Sequence, residues 1–151
     1  MSNQRIRAVA LCVVMNGGRV LVRRHVDHDL QRVFFRPPGG TIEYGEYSRD
    51  AARREMQEEI GADVVNLRPL GCIENLFDYK GDTGHEIVFI YRGDFADAEL
   101  YQHDVINGQE ADGENFLAFW LPPAAFTADQ PLYPTALLDL LRNEAKLWPV
   151  S

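Results

Sequence analysis

The chain has 151 residues, 46% of them hydrophobic and 25% charged, which suits a single globular domain over 1–151 and excludes a disordered or fibrous chain. Its 15 basic and 23 acidic residues leave a net charge of −8, which disfavours tight non-specific binding to nucleic acid or an anionic membrane. A small anionic substrate stays compatible with that charge, provided a cation bridges the two.

Residues 5–15 read as a buried strand, and 19–25 as its partner across the Asn16-Gly17-Gly18 turn. Arg5 and Arg7 ahead of AVALCVVM loosely imitate a secretion signal, but no small-residue cleavage site follows. No run approaches the ~18–20 apolar residues that span a bilayer. Cys12 and Cys72 sit in apolar runs without metal-type spacing and read as two buried, reduced thiols of a cytoplasmic protein. The segment HVDHDLQRVFF is mixed and reads as a loop leading into a short extended piece. RPPGGTIEYGE, residues 36–46, holds two prolines and three glycines, which forbids a helix and requires a shaped loop.

A helix is expected over 48–60. Ser48 suits the N-cap, Asp50 the first turn and Gly61 the position that ends a helix, while Ala52, Met56 and Ile60 form one apolar face. Residues 63–79 and 85–95 read as long strands joined by a hairpin at 80–84. Residues 100–114 are polar and read as a loop, and NFLAFWL, 115–121, as a strand closed by Pro122-Pro123. A last helix is expected from Pro134 to about Ala145, with Leu137, Leu138, Leu140 and Leu141 buried. The sum is an α/β (α+β) fold, a mixed sheet with one early and one late helix. His25, His28, His85 and His103 show no ligand spacing.

The stretch RREMQEEIG concentrates Glu55, Glu58 and Glu59 at i, i+3 and i+4, on one helical face where like charges repel. A hard divalent cation, which takes carboxylate oxygens together with substrate phosphates, would offset that repulsion. Arg54, four residues before Glu58, can steady its carboxylate. The preceding glycines let the backbone approach a ligand and offer a carbonyl oxygen. A solvated acidic face is the plainer reading of the glutamates taken alone.

Read from Gly40, however, GTIEYGEYSRDAARREMQEEIGA resembles the Nudix box: G, five residues, E, seven residues, then R-E-U-x-E-E-x-G-U with U aliphatic. Gly40, Glu46, Arg54, Glu55, Met56, Glu58, Glu59 and Gly61 match, and Ala62 departs mildly where a larger aliphatic is usual. Pro38-Gly39-Gly40 resembles the family's entry into the box, with Phe35 where an aromatic is common and Pro37 in place of the frequent aliphatic. FWLP at 119–122 resembles the strand that returns after the substrate loop.

That resemblance implies a mixed β-sheet sandwiched between helices and hydrolysis of a nucleoside diphosphate linked to another group. It implies Mg²⁺ or Mn²⁺ held by Glu55, Glu58, Glu59 and the Gly39 carbonyl. Arg54 would orient the glutamates, Glu46 would pair with Arg54, and Gly40 and Gly61 would shape the loop and the helix end. In some relatives the base is a box glutamate, a role Glu55 fills here. In others it lies in a downstream loop, where Glu110 is the better candidate and Glu114 the second.

Selectivity lies outside the box. Phe34, Phe77 and Tyr79 can stack on a base or simply pack in the core. Tyr79 stands where some diadenosine polyphosphate hydrolases of the family carry a tyrosine. Arg23, Arg24 and Arg36 can reach a distal phosphate, and a surface salt bridge is the plainer reading of Arg24 or Arg36 taken alone. Dinucleoside polyphosphates, nucleotide sugars, ADP-ribose and nucleoside triphosphates all stay open as substrates, and a second copy of the chain stays open as a partner. The alternative is a silent Nudix-fold nucleotide sensor. Such domains often lose box glutamates and carry an appended DNA-binding domain, whereas here every glutamate is present and 151 residues leave little room.

Overall fold

The structure is a computed structural model that describes residues 4–28, 31–79 and 81–147. Strand β1 (Ile6–Val13) is buried from Val9 onward on both faces, as a continuous apolar run demands. Alternate side chains enter different cores. Val9, Leu11 and Val13 pack with Val20, Val22, Phe35 and Val88, while Ala10 and Cys12 pack with Leu21, Ala118 and Trp120.

The hairpin expected around Gly17-Gly18 is much smaller than its apolar runs suggest. The chain leaves β1 at Val14, and only β2 (Met15–Asn16) pairs with β3 (Arg19–Asp27). Both glycines have positive φ, which a tight two-residue turn of this kind requires. Strand β1 belongs to the other sheet, where it runs antiparallel to β5 (Gly39–Thr41) and parallel to β7 (Asp82–Phe95). The order there is β5-β1-β7-β6, with β6 spanning Val64–Tyr79. Strand β7 begins at Asp82, earlier than expected, and pairs with β6 through register shifts near Val65 and Pro69.

The second sheet runs β2-β3-β9-β8 and corrects two loop readings. In HVDHDLQRVFF the short extended piece is present as β4 (Arg32–Arg36), but the loop reading fails at its start: β3 continues to Asp27, and β4 pairs back along it. Its polar residues alternate with Val26, Val33 and Phe35, so one face of this ribbon is polar. Within 100–114, β8 (Val105–Gln109) pairs with β9 (Asn115–Leu121). Only Ile106 and Gly108 of β8 are buried, which is too brief an alternation to stand out in a polar sequence.

Helix α1 (Ser48–Ile60) has the expected bounds and ends at Gly61, whose φ is 73°. Its cap differs. Tyr47 precedes the helix without a side-chain cap, and the Ser48 hydroxyl shares a 2.6 Å hydrogen bond with Tyr91 instead. Ala51, Ala52 and Met56 press α1 onto the core containing Ala10 and Cys12. Helix α2 (Leu137–Leu147) starts three residues later than expected, after Pro134, whose carbonyl accepts the Leu137 N–H. Leu137 and Leu141 join the core containing Val9 and Leu11, so the two helices cover different cores of the curled sheets.

Cys12 is buried, and burial pushes its thiol up to about 12, but Cys72 is exposed, so the expectation of two buried thiols fails for one of them. An apolar neighbourhood in sequence placed Cys72 on a strand without fixing which face of that strand is covered.

Candidate active site

Arg54 organises the acidic face of α1. Its Nε and Nη2 donate to both oxygens of Glu46 at 2.8 and 3.0 Å, a bidentate fork that ties the loop after β5 to the helix. Its Nη1 donates to Glu55 at 3.0 Å and to Glu58 at 3.2 Å, and Nη2 also reaches the Thr41 carbonyl at 3.0 Å. One guanidinium therefore answers three carboxylates of the box. The hydrogen bond from Arg54 holds Glu46 below the usual carboxylate range, and Glu46, then Glu55, push the guanidinium up.

The glycines have a local reason. A Cβ on Gly40 would lie 2.6 Å from the Glu55 carboxylate, and one on Gly39 would lie 2.2 Å from the Ala10 carbonyl oxygen. The loop passes that close to the helix and to β1 only without side chains.

Glu59 turns inward. Burial, then the charge of Glu55, pushes its carboxyl up to about 8, opposed by Arg23 and by a backbone hydrogen bond from Gly39. Its Oε2 is buried without a hydrogen-bond partner. A buried carboxylate oxygen without a partner, beside two further glutamates and a glycine backbone, is an all-oxygen donor set that fits Mg²⁺ or Mn²⁺. Among the described residues no three acidic or imidazole groups already converge as a cage, since Glu55 and Glu58 are turned to Arg54.

Glu55, Glu58 and Glu59 share a cleft of ≈ 280 Å³ with Arg23, Gln109 and Glu110. The turn after β8 delivers Glu110 to it: the Glu110 N–H bonds the Glu114 carbonyl at 2.8 Å, and its carboxylate pairs with Arg23. The Arg23 guanidinium also lies 3.9 Å from the centre of the Phe116 ring, which fixes it over β9. Glu114 is exposed and lies outside this lining.

The other anticipated contacts divide. Arg36 lies one pocket further along, beside Glu59 and Arg23, while Arg24 is exposed on the opposite face of β3. Phe34 and Phe77 line a more distant cleft, and Phe77 lies flat over Gly84, where a Cβ would come within 2.3 Å of the ring. The Tyr79 side chain falls outside the described residues. Sequence reasoning missed Glu86, a carboxylate 2% exposed that accepts from Arg36 at 3.0 Å and pairs with Arg7 at 3.5 Å. Its signal was available: a lone acid at the head of the apolar run IVFIY needs a buried partner.

The architecture, two curled sheets with a helix over each core, is that of solved Nudix structures. A MutT Nudix hydrolase from Burkholderia pseudomallei matches with a TM-score of 0.63 at 18% identity over 91% of this chain and 97% of that one. A Nudix hydrolase from Nitrosomonas europaea matches with a TM-score of 0.64 at 16% identity over 95% and 90%. Among curated relatives, an RNA pyrophosphohydrolase of Novosphingobium aromaticivorans is 31% identical over 64% of this chain and 68% of its own length. An oxidized purine nucleoside triphosphate hydrolase of Danio rerio is 36% identical over 49% of this chain, a match that spans only 46% of the fish protein. The NUDIX domain model matches residues 4–139. The chain therefore belongs to the Nudix family of hydrolases.

Proposed function

We propose that this single Nudix domain hydrolyses a phosphoanhydride bond of a small nucleotide with the help of a divalent cation. The observation that carries the reading is the buried Oε2 of Glu59, without a hydrogen-bond partner, on a residue that lines one cleft with the Arg54-ordered glutamates and Glu110. Glu55, Glu58, Glu59 and the Gly39 carbonyl would hold Mg²⁺ or Mn²⁺. The chemistry such an ion supplies when bound is neutralisation of the diphosphate and acidification of water.

The protein's own groups do the rest. Arg54 holds Glu55 and Glu58 in place through hydrogen bonds of 3.0 and 3.2 Å, so the acidic face is ordered in advance. Arg23 offers a cation to the substrate phosphates from the same cleft. A carboxylate accepts the proton of the attacking water, and the cleft offers two for the task, Glu55 on the helix and Glu110 on the turn. The net charge of −8 favours a small nucleotide over an RNA chain.

The test is a hydrolysis panel with and without Mg²⁺, its products identified by mass. It would contain nucleoside triphosphates, oxidised purine triphosphates, ADP-ribose, nucleotide sugars, dinucleoside polyphosphates and triphosphate-ended RNA, with Glu59→Gln beside the wild type. Metal-dependent cleavage of one class, lost in the variant, is the expected result. Nucleotide binding without any cleavage would instead establish a sensor.

A further inference from the structure

Strand register leaves the outer face of one sheet half covered. On β7, Thr83, His85, Ile87, Phe89 and Tyr91 alternate onto the face turned away from the buried Glu86, Val88 and Ile90. Asp78, Leu76, Glu74, Cys72 and Pro69 of β6 lie beside them in that order, and Ile6 and Ala8 of β1 lie beside His85 and Ile87. Helix α1 covers one end of this face. The Ser48 hydroxyl meets that of Tyr91 at 2.6 Å, and Ala51, Ala52 and Met56 pack with Ala10 and Cys12. The other end is bare. Ile6 is 61% and Leu76 67% exposed, Ala8 and Cys72 are exposed as well, and the half-buried Ile87 and Phe89 belong to neither core.

The two ends carry opposite charge. Glu74 and Asp78 are exposed at the bare end. At the covered end α1 presents Arg49 and Arg53, one turn apart. The Arg49 guanidinium lies 5.9 Å from the centre of the Tyr91 ring, and both arginines border a recess of ≈ 330 Å³ with Val64 and Leu67 of β6. Among the described residues Glu74, Asp78 and Arg49 have no ion-pair partner. Arg53 is shared with Asp63 at 3.5 Å, but both side chains are more than half exposed, so the pair holds it weakly.

Positions along the strands make this face self-complementary. Glu74 lies beside Ile87, two residues to one side of Phe89, and Arg49 lies over Tyr91, two residues to the other. Asp78 lies beside Thr83, six residues to one side, and Arg53 borders Val64, the neighbour of Phe95, six residues to the other. A two-fold axis that crosses the strands at the Phe89–Cys72 row exchanges these positions. It brings Glu74 of one copy to Arg49 of the other, and Asp78 to Arg53. The relief matches too. Helix α1 raises its end of the face by roughly a helix diameter, ~10 Å. The same rotation sets the raised end of each copy over the bare end of the other, where Ile6, Leu76 and Ile87 await cover. Tyr47, next to Ser48 and 82% exposed, stands at the edge of the raised end as an aromatic anchor.

We propose that this outer face is the contact surface of a two-fold dimer, with a second copy of the chain as its occupant. Elsewhere a net charge of −8 makes like copies repel, whereas here apolar atoms and matched charges meet. Asn75 and Glu86 alternate onto the opposite face, so the surface is distinct from the one that meets the second sheet. Its footprint, three strands wide and about 12 residues long, is on the order of 600 Å² per copy against ~800 Å² in a standard interface, so the dimer is reversible and of roughly micromolar affinity.

Sedimentation velocity over a micromolar-to-millimolar series of the whole chain tests this. A reversible dimer is expected. Glu74→Arg and Arg49→Glu should each weaken it by roughly tenfold or more, and the double variant Glu74→Arg/Arg49→Glu should recover most of the loss. Leu76→Glu should abolish it, while Leu117→Glu, exposed on the other sheet, should leave it unchanged. Cys72 supplies an independent readout, because Cys12 is buried: its alkylation should slow as the dimer forms. A monomer at every concentration overturns the proposal, as does a dimer indifferent to Leu76→Glu or a charge swap that restores nothing. A dimer lost in Leu117→Glu alone would place the contact on β9 and overturn it equally. Cys72 protected in a monomer would mean that something other than a second copy covers the face. Should Glu74→Arg fail to fold by circular dichroism, Asp78→Arg with Arg53→Glu carries the same outcomes.

Discussion

The acidic face of α1 and the arginine cluster of β1, β3 and β4 are built by opposite means. On α1, Arg54 meets Glu55 and Glu58 at separations of one and four residues and Glu46, in the entry loop, at eight, so one helix and the loop before it bring the groups together. In the cluster, Arg36 meets Glu86 across 50 residues, Arg7 meets it across 79, and Arg23 meets Glu110 across 87. The first arrangement needs one helix and its entry loop, and the second needs both sheets. Damage to the first should therefore be chemical and local, and damage to the second should also register in stability.

The largest expected effect tests the chemical half. Glu59→Gln keeps the shape of the side chain and removes its charge, and kcat should fall by on the order of 10²-fold or more, with the melting temperature held or raised. A comparable loss of melting temperature would show that Glu59 is structural and would break the contrast.

The next effect belongs to the arginine cluster. Burial first, then the charges of Arg23 and Arg36, lower His25 to about 4 from 6.5. A folded-state value below the unfolded one means that the unfolded chain binds the proton first. The stabilisation is complete above pH 6.5 and is lost as pH falls towards 4. Over that window urea titrations should show a loss of up to about 3 kcal/mol, reduced in His25→Phe. An unchanged slope in the variant would mean the imidazole is not held neutral by its surroundings.

Arg54→Lys comes third. It keeps the charge but loses the fork, and metal affinity, read by Mn²⁺ titration, should weaken by about 10–100-fold. Because Arg54 is partly exposed, the stability loss should stay near 1 kcal/mol.

The smallest effect is the sharpest. Glu114→Gln, exposed and outside the cleft, should leave kcat/KM within about twofold, whereas Glu110→Gln should cost about 10²–10⁴-fold if that carboxylate accepts the proton. Equal losses would mean that the turn acts as a whole.

The same contrast explains what could be read in advance. The box and the bounds of α1 follow from spacing along one helix and its entry loop, and the pairing of Arg54 with Glu46 was implied by the family resemblance. The roles assigned to Glu55, Glu58 and Glu59 rest on that spacing and await the assays above. Arg36 was legible as a phosphate contact or as half of a surface salt bridge, but its partner Glu86 was not, because Glu86 lies on a strand of the other sheet. Strand β8 was lost because only two of its residues are buried. The β1–β3 hairpin was overread because two apolar runs around a glycine turn look alike whether they pair or enter different sheets.

Strand β1 has one more consequence. It is made first, yet its parallel partner β7 begins at Asp82, and the sheet that seats Arg23 is completed by β9 at 115–121. During synthesis the box helix therefore emerges long before the walls that will enclose its glutamates. Pairings of such sequence distance close slowly, because loop entropy must be overcome before contacts reward it. A ribosome-stalled chain ending at Tyr79 should hold a formed helix with its carboxylates open to solvent. The cell thus meets the acidic box segment before it meets the folded domain.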